Sequence, residues 1–515
     1  MVTTYEKNNR IAKNSLFLYM RLLLMMAITL FTSRVVLDCL GEDNYGIYNV
    51  VGGVVAMFAF VQNSMTIAIQ RFITYELGRG TIKRLHNVFS TSINIQFLLA
   101  IIVFILTETI GLWFLNTKMS IPEGRLDAAN FVLQCSILST IIGIITIPYN
   151  AVIIAHEHMA AFAYLSIIEV LLKLVIVYLL YISSFDKLMI YAILLLIVSI
   201  LMRFIYGSYC RRKFEEAHFS LGIDKKLFKE MASFAGWSFV GNTSSMLNTH
   251  GVNMLINVFF GVKVNAARAI AIQVESAVTQ FVNGFTTAIN PQITKSYASN
   301  DLSYLYLLIC RGSKFSFFIM LIMAVPIIVE SDSILEIWLK EVPSYTSIFL
   351  KLVILYSLIT SLANSMVTGI LATGNIKRYQ IEMNVVSVLI FPLSWIAFYM
   401  GAPAYMTYVI AIIIIFSLTF VRLKELKRLI SFPVSIYLTQ YLLVMLIVAV
   451  LSFLLPLTVQ YFISPSISRF LFISLLSVLW TAICVFTFGL KRKEKEFVTG
   501  KINALVINKL TKIKV

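Results

Sequence analysis

Two oppositely charged residues lie one helical turn apart in the apolar stretch LSIIEVLLKLVIVY (residues 165–178). Glu169 and Lys173 have the four-residue spacing that permits an ion pair on one face of a helix. Such a carboxylate can carry a proton or a cation, and such an ammonium group can bind a phosphate oxygen. The structural alternative is a pair that only neutralises itself among packed helices.

Arginine residues also interrupt apolar stretches near the N-terminus. Arg21 lies near the start of the first apolar stretch and Arg34 near its end. A guanidinium group binds two phosphate oxygens at once, so either residue can contact a phosphorylated substrate. The structural alternatives are a side chain that extends to water and, for Arg34, an ion pair with Asp38. Arg71 ends a later apolar stretch, and we expect a structural role for it.

A longer part of the chain, residues 230–293, carries polar side chains at helical spacing. Asn242, His250 and Gln280 belong to this set and can line a sugar-binding or water-filled wall. Arg268 can contact a phosphate group as a substrate leaves. The structural alternative is that small polar residues pack helices closely together.

The chain that positions these residues is strongly hydrophobic. Of its 515 residues, 59% are hydrophobic and 13% are charged, whereas soluble domains contain about 25% charged residues. Stretches of about 20 apolar residues, long enough to cross a bilayer, recur throughout. We therefore predict an all-α polytopic membrane protein. The fourteen predicted helices cover residues 14–37, 45–74, 88–115, 128–155, 161–183, 188–210, 230–259, 267–293, 307–330, 346–372, 379–400, 404–422, 434–455 and 467–490.

The longest polar linker, residues 211–229, divides the predicted helices into two sets. An N-terminal six-helix lobe over residues 1–210 precedes it, and a C-terminal six-helix lobe over residues 230–428 follows. A final helix pair over residues 429–490 leads to a basic amphipathic tail over residues 491–515, for which disorder is the alternative. Weak similarity at an offset of about 220 residues predicts that the lobes are an internal repeat around a central cavity, as in many secondary transporters.

The formal net charge of +17 is concentrated in alternate loops and in the tail. Cytoplasmic loops of membrane proteins are rich in lysine and arginine, so we expect both termini in the cytoplasm. The positive charge suits anionic lipid rather than nucleic acid. The five cysteines are far apart and show no metal-binding or disulfide spacing, so we expect no cofactor and no metal.

The turn between the first two predicted helices has the pattern Leu40-Gly41-x-x-x-Tyr45-Gly46-x-Tyr48. It resembles the LG-x-x-x-YG turn of Wzx-type polysaccharide flippases, which belong to the superfamily of multidrug, oligosaccharidyl-lipid and polysaccharide exporters. The chain is similar to the O-antigen or lipopolysaccharide flippase branch. The likeness continues through AIQRFITYELGRG (68–80), ETIGLWFLN (108–116) and IPYNAVIIAHEHM (147–159).

This resemblance implies a bacterial inner-membrane protein with two six-helix lobes around a cavity. It implies transport of an undecaprenyl-pyrophosphate-linked oligosaccharide, an O-antigen or capsule-type repeat unit, to the periplasmic leaflet by ion-coupled alternating access. The implied partners are this lipid-linked substrate, membrane lipids and a polysaccharide polymerase. For such a function the candidate substrate contacts are Arg21, Arg34, Lys173, Asn242, His250, Arg268 and Gln280, and the candidate ion-coupling residue is Glu169.

Other functions fit parts of the same sequence. A multidrug exporter of the superfamily needs an acidic cavity in its first lobe, where Glu169 is the deep acidic candidate. A flippase for lipid-linked peptidoglycan precursors shares the fold, and the residue patterns do not separate it. We do not expect an enzyme. Polymerases and ligases of polysaccharides carry a long periplasmic loop, and the predicted topology has none. The sequence also lacks a phosphate-binding G-x-x-x-x-G-K-[ST] loop.

Overall fold

A computed structural model describes most of the chain. It covers residues 14–25, 28, 31–32, 35–36, 39–41, 44, 47–48, 51, 59–79, 82–118, 121, 124–220, 224–339, 342–492, 494–496 and 499. Within these ranges the side chains of 59–63, 118, 241–247, 250, 257, 262–263 and 266 are not described. All regular elements of the described part are helices, which confirms the predicted fold class.

The described part of the chain contains sixteen helices. They are α1 (Asn14–Met25), α2 (Ala59–Arg79), α3 (Ile82–Thr117), α4 (Leu126–Ala155), α5 (Met159–Ile182), α6 (Lys187–Lys213), α7 (Lys225–Met246), α8 (Val252–Ala298), α9 (Leu302–Val329), α10 (Ser331–Trp338), α11 (Thr346–Ser361), α12 (Asn364–Thr373), α13 (Lys377–Tyr399), α14 (Met406–Ile430), α15 (Val434–Phe462) and α16 (Ile467–Gly489).

Nine helices in the described part of the chain are long and apolar enough to cross a bilayer. The pair α11 and α12, bent by 41°, makes a tenth span if it is counted as one. These helices establish a polytopic membrane protein. The total of fourteen spans stays a prediction.

The predicted helix over residues 230–259 is divided. Helix α7 ends at Met246, a π-helical turn covers Leu247–Gly251, and α8 begins at Val252. Gly261 then interrupts α8 with a φ of +80°, a conformation that glycine adopts because it lacks a Cβ atom. Hydrophobic periodicity cannot reveal such breaks, because the residues on both sides remain helical.

The chain forms two compact units, each discontinuous in sequence. Unit 1 consists of Met1–Met246, Asn283–Leu308 and Val367–Val385. Unit 2 consists of Leu247–Val282, Ile309–Met366 and Val386–Val515. The lobe boundaries expected from the sequence stay a prediction.

Helix α4 is central to unit 1, where it packs against α2, α3 and α6. Small residues such as Ala151 and Ala155 on its C-terminal half are fully buried, which lets neighbouring backbones approach closely, as in other membrane bundles. The ring of Tyr149 meets Phe89 edge to face, with 5.3 Å between the centroids. This packing supports the side chains that α4 presents further along its length.

Unit 2 encloses a buried ion pair at the end of its last helix. The Lys314 side chain on α9 is 2% exposed, and its Nζ atom lies 2.5 Å from Glu494 Oε2. The same ammonium group donates a hydrogen bond of 3.1 Å to the carbonyl oxygen of Gly489. Because a buried charge requires a partner, this pair ties α9 to the segment after α16.

Candidate functional site

Glu169 and Lys173 form the ion pair that their spacing predicts on α5. Lys173 Nζ lies 2.7 Å from Glu169 Oε1. The Lys173 side chain is 43% exposed and the Glu169 side chain 35%. Neighbouring helices therefore leave part of both charged groups uncovered, and the choice between a substrate contact and a structural pair stays open.

The pair faces a cavity of about 510 Å³ that lies entirely within unit 1. Helices α4, α5 and α6 form its walls. The volume falls within the range of roughly 300–1,000 Å³ for small-molecule sites. Its polar lining consists of Tyr48, Ser136, Ser139, Thr140, Thr146, Asn150, Glu169, Lys173, Ser199 and Tyr206.

Helix α4 contributes half of these polar groups, and none of its five was predicted as a site residue. Together with Gly143, which also lines the cavity, Ser136, Ser139, Thr140, Thr146 and Asn150 follow three- and four-residue steps along one face of the helix. The signal was present in the predicted helix over residues 128–155. It was overlooked because each residue is small and the surrounding sequence is apolar.

The α4 side chains differ in the hydrogen bonds they can still form. Thr140 and Thr146 donate to carbonyl oxygens one turn earlier, over 2.9 and 2.7 Å. Asn150 Oδ1 is buried and accepts no hydrogen bond from any residue that the structure describes. A buried acceptor without a partner costs free energy, so Asn150 favours a ligand that offers a hydroxyl or amide donor.

Arg21 on α1 lies beside the same part of α5. Its Nη1 atom donates to Ser166 Oγ over 3.2 Å, and the guanidinium carbon lies 4.5 Å from the centroid of the Phe162 ring. Ser166 precedes Glu169 by three residues, which places both on one face of the helix. Three predicted residues, Arg21, Glu169 and Lys173, are therefore brought together in unit 1.

Arg268 and Gln280 belong to unit 2 and are placed differently from each other. The Arg268 side chain is 5% exposed, donates to Asn253 Oδ1 and lies 5.8 Å from the Tyr408 ring centroid. Gln280 is exposed on α8. The buried Nε atom of Arg268 has no hydrogen-bond partner among the described residues, and its role as a substrate contact stays a prediction.

The other predicted site residues are not described by the structure. Arg34 lies outside the described residues, as does Asp38, its predicted partner. The side chains of Asn242 and His250 also lie outside the described part. Their roles stay predictions.

Unit 2 also contains a carboxylate that was not among the predicted site residues. Glu275 on α8 accepts a hydrogen bond of 2.6 Å from Ser357 Oγ on α11. Arg422 on α14 is 6% exposed, and its Nε and Nη1 atoms have no hydrogen-bond partner among the described residues. A single acidic residue in an otherwise apolar segment was the available signal for Glu275.

Comparisons with solved structures identify the fold. The chain resembles an outward-facing multidrug resistance MATE family transporter of the MOP superfamily, with a TM-score of 0.68, 12% identity, and coverage of 84% of this chain and 99% of the other. It also resembles the Vibrio cholerae MATE transporter VcmN in its bent form, with a TM-score of 0.63, 16% identity, and coverage of 82% and 98%. At these identities the likeness shows the fold alone.

The sequence comparison with curated proteins finds no match. The sequence profile of the family described as "Polysaccharide biosynthesis protein" matches residues 11–297, more than half of the chain. The matched family agrees with the polysaccharide branch that the sequence resemblance indicated, and the two solved structures with this fold are themselves transporters. The chain belongs to the polysaccharide biosynthesis protein family.

Proposed function

We propose that the protein is a flippase for lipid-linked oligosaccharides. Its substrate would be an undecaprenyl-pyrophosphate-linked repeat unit of O-antigen or capsule type, moved from the cytoplasmic to the periplasmic leaflet of a bacterial inner membrane. Family membership supports a flippase or exporter in polysaccharide synthesis. The observation that carries the narrower proposal is the accessible Lys173–Glu169 pair facing a polar cavity in unit 1.

The Lys173 ammonium group is the proposed contact for the pyrophosphate. An anionic headgroup that leaves water needs a cation to replace its hydration. The partly exposed Lys173–Glu169 pair is worth only up to about 1 kcal/mol, so it is a weak competitor for the ammonium group. A pyrophosphate, which carries several charges and acceptor oxygens, can take the place of Glu169. The hydroxyl groups of α4 and the free acceptor of Asn150 then suit the sugar.

Glu169 is the proposed coupling residue. Once Lys173 binds phosphate, the Glu169 carboxylate has lost its partner, and an unpaired carboxylate in a membrane interior is stabilised by taking up a proton. Substrate binding and proton binding would then favour each other, because coupling between two sites is reciprocal. In an alternating-access cycle, this coupling makes substrate movement depend on whether Glu169 carries a proton.

Complementation tests the proposed function. The chain is expressed in a bacterium that lacks its O-antigen flippase, and surface polysaccharide is measured with the native glycan supplied. We expect wild type to restore surface polysaccharide, Lys173→Ala to fail at equal membrane abundance, and Lys213→Ala, an exposed lysine outside the cavity, to behave as wild type. Normal surface polysaccharide with Lys173→Ala would refute the role of Lys173.

The cavity carboxylate also favours a second function, the export of cationic drugs. Glu169 can bind a cation if Lys173 turns away, and one solved structure of this fold is a multidrug resistance transporter. Drug tolerance of the same strains separates the two functions. Raised drug tolerance without surface polysaccharide would favour drug export. A separate test uses a strain depleted of its peptidoglycan precursor flippase, and growth rescue of this strain would favour the lipid-linked peptidoglycan precursor as the substrate.

A further inference from the structure

A second cavity in unit 1, about 660 Å³ in volume, is strongly basic. Helices α2 and α7 and the turn between α12 and α13 form its walls. Its charged lining consists of Arg71, Lys226, Lys229, Lys377 and Glu230. Four cations and one carboxylate give this basic pocket a net charge of +3.

Arg71 is fixed at the back of the basic pocket. Its guanidinium carbon lies 4.6 Å from the Phe72 ring centroid and 4.8 Å from the Tyr75 centroid. One nitrogen, Nη2, donates to the carbonyl oxygen of Ala372 over 3.0 Å. The buried Nε atom has no hydrogen-bond partner among the described residues. A guanidinium held in place with donors to spare is suited to an oxyanion.

Gly374 makes room for this arginine. It has a φ of +77°, and a Cβ atom at this position would lie 2.5 Å from Arg71 Nη2. Only glycine combines this backbone conformation with so close an approach. The turn between α12 and α13 is therefore shaped around the Arg71 side chain.

The three lysines line the open part of the basic pocket. Lys226 and Lys229 are exposed on one face of α7, three residues apart, and Lys377 Nζ lies 5.2 Å from the Trp237 ring centroid. None of the three forms an ion pair with a residue that the structure describes. Cations gathered in this way repel one another, and a compact anion relieves that repulsion.

We infer that the basic pocket binds a diphosphate group, and that its source is the headgroup of the lipid-linked substrate before entry into the cavity at Lys173. The source rests on the proposed function, whereas the anion chemistry rests on the pocket alone. A ligand with one carboxylate group would neutralise only one of the four cations. A diphosphate carries several negative charges and can contact Arg71 and the lysines at the same time. The pocket-lining loops are among those expected in the cytoplasm, where such a lipid is made.

Binding of inorganic pyrophosphate to the purified full-length protein tests the site. Calorimetry in zwitterionic detergent compares wild type with the double variant Lys226→Ala/Lys229→Ala. The control Lys213→Ala/Lys225→Ala removes two exposed lysines that do not line the pocket. We expect the pocket variant to bind on the order of tenfold more weakly or worse, and the control to match wild type. Equal affinity of the two double variants would overturn the inference.

Two further measurements identify the source of the phosphate. Pyrophosphate binding is compared in phosphatidylcholine and phosphatidylglycerol nanodiscs. Binding that disappears only in phosphatidylglycerol would overturn the substrate headgroup as the ligand, because a membrane lipid phosphate would then occupy the pocket.

Complementation separates the two proposals. If wild type binds pyrophosphate but restores no glycan, the proposed function fails. If the pocket variant restores glycan like wild type, a role of the pocket in loading fails while the flippase stands.

Discussion

Arg125 joins Asn44 to the start of α6 within unit 1. Its Nε atom donates to Asn44 Oδ1 over 3.1 Å, and its guanidinium group forms an ion pair with Asp186. Gly41, three residues before Asn44, has a φ of +75°. An arginine from the segment before α4 thus holds Asn44 to the start of α6.

Removal of the Arg125 guanidinium should destabilise unit 1. The hydrogen bond from Arg125 lowers the pKa of Asp186, which also accepts hydrogen bonds from the backbone at the start of α6. We expect Arg125→Ala to cost on the order of 1 kcal/mol, because both groups are partly exposed. Thermal unfolding in detergent measures this loss.

The pH dependence of that variant gives a further check. A lowered carboxyl pKa stabilises the folded state above the ordinary pKa of 3.8, and this contribution disappears as the pH falls through the lowered value. The difference in unfolding temperature between wild type and Arg125→Ala should therefore be present at pH 7 and shrink below pH 3.8. A difference that is the same across this range would contradict the ion-pair explanation.

The pair of His156 and Glu216 predicts a second acid-sensitive contact. His156 Nε2 lies 2.5 Å from Glu216 Oε1, and the Glu216 side chain is 5% exposed. Burial, the largest single influence, raises the pKa of Glu216, but the hydrogen bond with His156, a backbone hydrogen bond and the electrostatic attraction of His156 together leave the pKa below its ordinary value of 4.5. Stability from this carboxylate is thus present above pH 4.5 and is lost as the pH falls through the lowered value.

We expect His156→Ala to leave the Glu216 carboxylate buried without this partner and to reduce stability by about 1–3 kcal/mol. The double variant His156→Ala/Glu216→Gln should recover part of the loss, because a neutral side chain is less costly to bury. Thermal unfolding of the purified variants at pH 7 measures both effects. A double variant less stable than His156→Ala would argue against a charge-based contact.

Local spacing predicted the Glu169–Lys173 pair, because an ion pair between residues four apart depends on one helix only. The cavity that the pair faces requires α4 and α6 as well, and no local pattern predicts which helix faces meet. The same limit explains why the place of Arg71 in a pocket was not predicted. The predicted helix over residues 45–74 put Arg71 near a helix end, where a structural role was expected. Helix α2 continues to Arg79, so Arg71 lies inside the helix and lines the basic pocket.

Glu169→Gln tests the proposed coupling separately from substrate binding. The amide keeps the shape of the side chain but cannot exchange a proton, so we expect Lys173 to bind substrate while transport loses its dependence on the proton gradient. Transport of lipid-linked oligosaccharide into proteoliposomes, with and without an imposed pH gradient, measures this. Unchanged stimulation by the gradient in Glu169→Gln would exclude this residue as the proton carrier.

Gly374→Ala tests whether the turn before α13 is shaped around Arg71. The added Cβ atom must displace the Arg71 guanidinium, since it would lie 2.5 Å from Nη2, and alanine at a positive φ adds strain of about 1–2 kcal/mol. Gly401→Ala is the matched control, because Gly401 has a φ of +84° but no atom within 4 Å of its Cβ position. Both variants should lose stability through backbone strain, measured by thermal unfolding. Only Gly374→Ala should also weaken pyrophosphate binding, and equal binding by the two variants would show that Arg71 does not contribute to the basic pocket.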